Sequence, residues 1–270
     1  MKKTINCDVI IPTFKNINTI LRAVNSIENQ TVLPKKIYII DDFSNDEKYL
    51  ELLNKLNDKS LIEVILLDEN VGPGSARNVG IKLSDAKYIA FLDSDDAWHP
   101  KKLEIQYYIM EKELYYLTCH RTVFKVDDEI EDINKNFYAK KIQSKKLLFK
   151  NIIATRSVMM RNDKRYYFKE NKRYSEDYLM WLEIAIDNNK LGYIDENLAY
   201  HFYNNISSGL SSNQKGMFLG ELENFRILNE NQKISNFTKY ICSCLSFIKY
   251  LNRLRKTNIL IKGFNLKYEK

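Results

Sequence analysis

Tyr88-Ile-Ala-Phe-Leu-Asp93-Ser-Asp-Asp96 sets five consecutive apolar residues against three carboxylates within four positions. A short apolar run stopped by polar residues predicts a buried strand over residues 88–92, with the acids at its carboxyl end. Carboxylates crowded this closely raise one another's pKa. A divalent cation removes that cost, and hard oxygen ligands beside a diphosphate suit Mn2+ or Mg2+. The same residues would also serve as a solvated acidic turn capping a helix that starts near Pro100. The motif alone leaves both readings open.

Working outward, the chain before this stretch alternates strand and helix. Residues 7–12, 36–40 and 61–67 are further apolar runs. Between them, Ile17, Ile20, Leu21, Val24 and Ile27 fall on one helical face, and Tyr49, Leu52, Leu53 and Leu56 form a second stripe. Residues 74–83 read as a third helix, entered through Gly72-Pro73-Gly74. Strands separated by single amphipathic helices imply right-handed crossovers and a mostly parallel sheet covered on both faces. Ligands bind such sheets beyond the carboxyl ends of the strands. Thr13-Phe14, Asp41-Asp42 and Asp93–Asp96 each follow a strand end, so the three are expected to converge on one crevice.

Beyond Asp96 the pattern loosens. Residues 100–114 read as a helix, 115–126 as strand-like and 127–143 as a polar connection. Residues 147–153 are apolar, and 157–160 suggest another strand. Residues 176–186 form a helix with Leu179, Leu182, Ile186 and Trp181 inward, and 204–214 a Ser/Asn/Gly loop. Residues 217–228 and 237–254 read as helices. Phe237, Tyr240, Ile241, Cys244, Leu245, Ile248 and Leu251 make one stripe of the last helix. That stripe fits packing on the body or an interfacial membrane contact equally.

The 270 residues carry a net charge of +7, unevenly placed. Residues 237–270 hold eight Lys/Arg and one acid, so the remaining 34 basic and 34 acidic residues cancel. A neutral body with a basic tail argues against a nucleic-acid face and for one anionic contact near the C-terminus, such as a membrane surface. No export signal and no run of about 18 apolar residues is visible, which predicts a cytoplasmic protein, peripheral on the membrane if attached at all. Cys7, Cys119, Cys242 and Cys244 show no metal-binding spacing and read as reduced, buried thiols. The first strand is followed by Pro12-Thr13-Phe14-Lys15-Asn16, without glycine. This excludes a dinucleotide-binding turn, a P-loop and the glycine-rich loop of a nucleotidyltransferase.

The stretch from Tyr88 through Asp93-Ser94-Asp95-Asp96, Trp98, Pro100 and Leu103-Glu104 resembles the donor-site segment of family 2 glycosyltransferases, which have the GT-A fold. Three more segments resemble the same family in order. They are Val9-Ile-Ile-Pro12-Thr13-Phe14-Lys-Asn16, with Phe14 where Tyr is usual; Ile39-Ile40-Asp41-Asp42-Phe43-Ser44-Asn-Asp46, with Phe43 where Gly is often found; and Asn70-Val-Gly72-Pro-Gly74-Ser-Ala-Arg77-Asn78-Val-Gly80. The resemblance covers residues 6–105 well and 150–212 loosely. It implies an α/β GT-A-type fold with a mostly parallel central sheet. On this reading residues 1–214 form a catalytic domain, 1–105 its donor half and 106–214 its acceptor half, followed by a basic helical extension over 215–270.

The resemblance also implies roles. Pro12, Thr13 and Phe14 would line the nucleobase, with Phe14 stacked on it, and Asp42 would accept from the base N–H, favouring UDP. Asp93 and Ser94 would contact the donor, Asp93 also lying near the metal. Asp95 would ligate Mn2+ or Mg2+, Arg77 would offset phosphate charge, and His201 would contact the diphosphate or the metal. Asp177 would be the catalytic base, with Glu176 the fallback. Without the resemblance, Arg77 reads equally well as a surface residue, His201 as a packed or surface one, and Glu176-Asp177 as acids suiting a helix N-terminus capped by Ser175. The implied reaction is inverting transfer of a sugar from a nucleotide-sugar donor to a hydroxyl of a glycan or lipid-linked saccharide in surface-polysaccharide synthesis. An inactive sugar-nucleotide-binding or scaffolding module remains the alternative.

Overall fold

In the computed structural model, the described residues are 2–125, 133, 137–187, 189–202 and 212–268, the last thirteen as backbone alone. The donor half reads β1 (Cys7–Thr13), α1 (Ile20–Glu28), β2 (Lys36–Asp41), α2 (Glu47–Asn57), β3 (Ile62–Leu66), α3 (Pro73–Leu83) and β4 (Tyr88–Phe91). It continues through β5 (Asp96–Trp98) and α4 (Lys102–Glu113). β3, β2, β1 and β4 lie side by side and parallel, with Val9 level with both Ile37 and Ala90. Every β1 side chain is buried, and alternate residues face opposite ways. Cys7, Val9 and Ile11 pack with Ile20, Val24, Tyr49, Leu53 and Leu103 on one face, whereas Ile10 packs with Ala76, Ile81, Trp181 and Leu182 on the other. α1 starts later than its apolar period suggests. Its buried face is Ile20, Ala23, Val24 and Ile27, while Ile17 and Leu21 are exposed.

The second half is mixed. β6 (Leu117–Lys125), β7 (Ala139–Lys141), α5 (Ser144–Phe149), a 3-10 turn (Thr155–Ser157), β8 (Met159–Arg161), α6 (Glu176–Ile186) and β9 (Leu191–Phe202) follow. β8 runs antiparallel to β4 and β6, so it joins the two halves into one sheet of order β3-β2-β1-β4-β8-β6-β9-β5, with β7 on β9. β5 and β9 were not legible as strands. β5 has three residues, and β9 loses its alternation at Asp195-Glu196-Asn197, where its register against β6 shifts. α7 (Gln214–Glu230) adds Phe225 and Leu228 to the core around Trp181, and α8 (Asn236–Tyr268) lies along α7. Cys7, Cys119 and Cys242 are buried free thiols, but Cys244 is exposed. Residues 204–211 of the expected Ser/Asn/Gly loop, and most of the polar connection over 127–143, lie outside the described residues.

Candidate active site

The ends of β1, β2 and β4 meet as expected. The Asp42 N–H donates to the Thr13 carbonyl at 2.8 Å, the Lys15 N–H to the Ser44 hydroxyl at 2.8 Å, and the Asn16 amide to the Ser94 hydroxyl at 2.5 Å. Pro12 and Thr13 are buried, and the Thr13 hydroxyl is bonded to Tyr49. Phe14 stands at the mouth, 43% exposed, with the Lys15 ammonium 5.1 Å from its ring centre. Phe43 sits at φ 63°, in the left-handed region that glycine adopts without steric penalty. An aromatic residue there costs about 1–2 kcal/mol, an expense a glycine would avoid.

The acids beside this mouth are held in two ways. Asp42 accepts N–H bonds from Val71 at 2.7 Å and Gly72 at 2.9 Å, where Gly72 turns at φ 84° into α3. Burial raises the Asp42 pKa against those bonds. Any bond to a base would be additional to these two.

In the 93–96 turn, by contrast, guanidinium groups hold the carboxylates. Arg77 donates to Asp93 at 2.5 Å and Arg156 to Asp96 at 2.6 Å, while Arg22 donates to the Asp95 carbonyl at 2.6 Å. Burial pushes the Asp93 carboxyl up, but Arg77 and then Arg156 hold it below the usual range. Asp96 goes the other way, raised by burial that Arg156 only partly offsets. Asp96 therefore does not cap the next helix: it lies in β5, and α4 begins at Lys102 without a side-chain cap.

Arg77 is the hub. Read alone it suggested a surface residue, yet it is 5% exposed, between Asp93 and the Glu176 carboxylate at 3.5 Å. Burial alone would depress the guanidinium; Asp93 and Glu176 more than reverse that. Nη1 carries the ion pair to Glu176, and Nε has no hydrogen-bond partner among the described residues; both are shielded from solvent. Glu176 reaches Arg77 because residue 74 is glycine: a Cβ there would stand 2.8 Å from Glu176 Cγ.

Glu176 and Asp177 open α6, but Ser175 is not their cap. It sits at φ 56° with its hydroxyl on the Met217 carbonyl. Burial first, then Asp177, pushes Glu176 up to about 7, opposed by Arg77. Asp177 is likewise raised by burial, and accepts from the Tyr178 N–H at 2.7 Å and the Thr155 hydroxyl at 3.1 Å. Thr155, Arg156 and Arg22 carried no flag in the sequence. The first two form a 3-10 turn that touches both Asp177 and Asp96. The Trp98 indole steadies that turn by donating to the Arg156 carbonyl at 2.8 Å, so Trp98 serves the core.

His201 lies level with Asp96 where β9 pairs with β5. Burial, then Arg156, depresses its pKa, while Asp95 is among the groups opposing. This favours the neutral ring, the form that ligates metals. Asp95 is half-buried with its pKa raised, first by burial and then by Asp93. No group of three or more His, Cys, Asp or Glu side chains is poised to hold a metal among the described residues. Asp95 and His201 would therefore supply at most two protein ligands, and a cation there would need its remaining ligands from a diphosphate and water.

A family model described as glycosyl transferase family 2 matches residues 8–171. An uncharacterized glycosyltransferase of Rickettsia bellii is 35% identical over 199 residues, 71% of this chain but 28% of its own length. The UDP-Glc:alpha-D-GlcNAc-diphosphoundecaprenol beta-1,3-glucosyltransferase WfgD of Escherichia coli is 29% identical over 67% of this chain and 70% of its own. S. aureus TarS 1–349 in complex with UDP-GlcNAc superposes with TM-score 0.69 at 21% identity, over 94% of this chain and 72% of that one. This likeness establishes the same fold.

Proposed function

Since the chain belongs to glycosyl transferase family 2, we propose that it moves a sugar from a UDP-sugar to a hydroxyl of a glycan or lipid-linked saccharide, with inversion at the anomeric carbon. The observation that carries this reading is the Arg77 bridge. It brings the acidic turn at the end of β4 against the acidic pair that opens α6, so donor residues and a base share one crevice. The names of WfgD and of the TarS complex support the donor class, both naming UDP-sugars.

Asp177 is the base. Glu176 spends its carboxylate on Arg77, whereas Asp177 is oriented by Thr155. In one displacement Asp177 takes the acceptor proton as the acceptor oxygen bonds to the anomeric carbon. The bond from that carbon to the diphosphate oxygen breaks, and the nucleoside diphosphate leaves with the electron pair. The buried guanidinium of Arg77 lends its positive charge to offset the growing phosphate charge. Asp95 and His201 would hold Mn2+ or Mg2+, which when bound supplies Lewis-acid stabilisation of the leaving group. Phe14 stacks on the base.

The decisive measurement is nucleoside diphosphate release across UDP-, dTDP- and GDP-sugars, with Mn2+, with Mg2+ and with chelator. UDP release that the chelator abolishes is expected. Donor binding by calorimetry without release from any donor would instead support an inactive binding module.

A further inference from the structure

The last helix carries a feature that transfer chemistry does not use. α8 turns one side to α7 through Cys242 and Ser246, four residues apart and 1% exposed each. The Ser246 hydroxyl donates to Glu221 at 2.6 Å, Lys239 to the Asn229 side chain at 3.0 Å, and Lys249 to the Phe149 carbonyl. Phe218 stacks on Tyr250 with ring centres 4.7 Å apart. The helix is thus seated by Cys242, Tyr250 and several polar and basic side chains, and most of its apolar stripe points outward.

That outward side is unusual for a solvated helix. Phe237 is 73% exposed, Tyr240 70% and Ile248 53%, and Cys244, Phe247 and Leu251 are exposed beside them. Between Asn236 and Asn252 no exposed residue of α8 is charged. A helix face bordering water is normally polar, and a contiguous exposed apolar surface marks a docking site. Phe149, which ends α5 where Lys249 ties α8 down, and Ile152 just after it are also exposed.

We propose that this face of α8 docks on an anionic lipid surface, lying in the plane of the bilayer interface. Charge selects the occupant. Of the eight basic residues in 237–270, Lys239, Lys249 and Arg253 are tied to the body, and the other five, with one acid, follow the apolar face in sequence, against a body that is neutral overall. A second copy presenting the same segment would bring more basic charge to it and only one further acid. Anionic headgroups neutralise those charges instead, each Lys or Arg near the surface adding to the attraction. Exposed Phe and Tyr beside aliphatic residues suit the headgroup–acyl boundary. No described helix is long and apolar enough to cross a membrane, so the contact is peripheral.

The inference does not depend on glycosyl transfer, and its test needs no sugar. The full chain is mixed with phosphatidylcholine vesicles, with or without about one third phosphatidylglycerol, and bound protein is measured by flotation at low and high salt. Binding to the anionic vesicles, weakened by salt, is expected. Phe237→Ser with Ile248→Ser should lower partition about tenfold or more while leaving nucleoside diphosphate release and thermal unfolding unchanged. Cys244, the exposed one of four free thiols, gives an independent readout: a nitroxide there should lose access to a water-soluble relaxation agent when anionic vesicles are added. Equal binding to neutral and anionic vesicles would overturn the charge assignment. No vesicle binding would overturn the proposal, as would self-association that the double variant abolishes and vesicles do not affect.

Discussion

Arg77 in α3 and Lys102 in α4 are both buried cations, and their surroundings treat them oppositely. Arg77 lies between Asp93 and Glu176, which hold its pKa up despite burial. Lys102 is fully buried with no hydrogen-bond partner for Nζ among the described residues. Its ammonium lies 3.6 Å from the centre of the Trp98 ring. Burial pushes its pKa down to about 7, and His120 close by is driven to about 3 by burial and then by Lys102. One cation is compensated by carboxylates that belong to a site; the other is tolerated in the core. Removing a buried charge should therefore have opposite signs at the two places.

The largest effect expected is on rate. Asp177→Asn should lower transfer about 10²–10⁴-fold while calorimetric donor binding persists. Unchanged turnover would remove the Arg77 crevice from the chemistry. Arg77→Met leaves Asp93 and Glu176 facing each other without their cation. Denaturant unfolding should show a loss of about 3–5 kcal/mol.

Lys102→Met is expected to do the reverse, stabilising by about 1–4 kcal/mol at pH 7. The sign follows from proton binding. Between about pH 7 and the ordinary lysine value of 10.5, the unfolded chain holds a proton that folded Lys102 has lost. Wild-type stability from this group therefore rises with pH through that window. The advantage of the methionine variant should be full below pH 7 and fade as pH approaches 10.5. A constant advantage would mean that packing, and not charge, explains it.

The smallest effect expected is at Thr155. Its hydroxyl is one of the groups lowering the Asp177 pKa against burial. Thr155→Val should move the acidic limb of the rate–pH profile upward and cost about tenfold in kcat near neutrality, whereas Thr155→Ser restores both. A profile that falls in height without moving would assign Thr155 to packing.

The donor half was largely legible because its signals are local. Cys7–Thr13 and Tyr88–Phe91 are unbroken apolar runs, and each acidic or aromatic site residue follows its strand directly. The acceptor half was legible only in pieces. Glu176–Ile186 showed its helical period, but β9 is interrupted by Asp195-Glu196-Asn197 and β5 owes its existence to pairing with β9. Ser175 and Asp96 misled for the same reason. Each occupies a position where a cap is locally favourable, and each is drawn off by a partner distant in sequence, Met217 and Arg156.

By itself the sequence determined that Asp93–Asp96 would end a buried strand and face two other strand ends across a crevice. Period and strand order suffice for that, since parallel neighbours carry their carboxyl ends to the same edge. Only the tertiary structure decided what happens to the charges. Asp93 is held ionised by an arginine sixteen residues earlier in the chain, whereas burial raises Asp96 and Asp177 against the opposing pull of an arginine sixty residues after Asp96 and of a threonine from the same turn. Coulombic and desolvation energies depend on distance and burial in space, and neither quantity is encoded in any local window of residues.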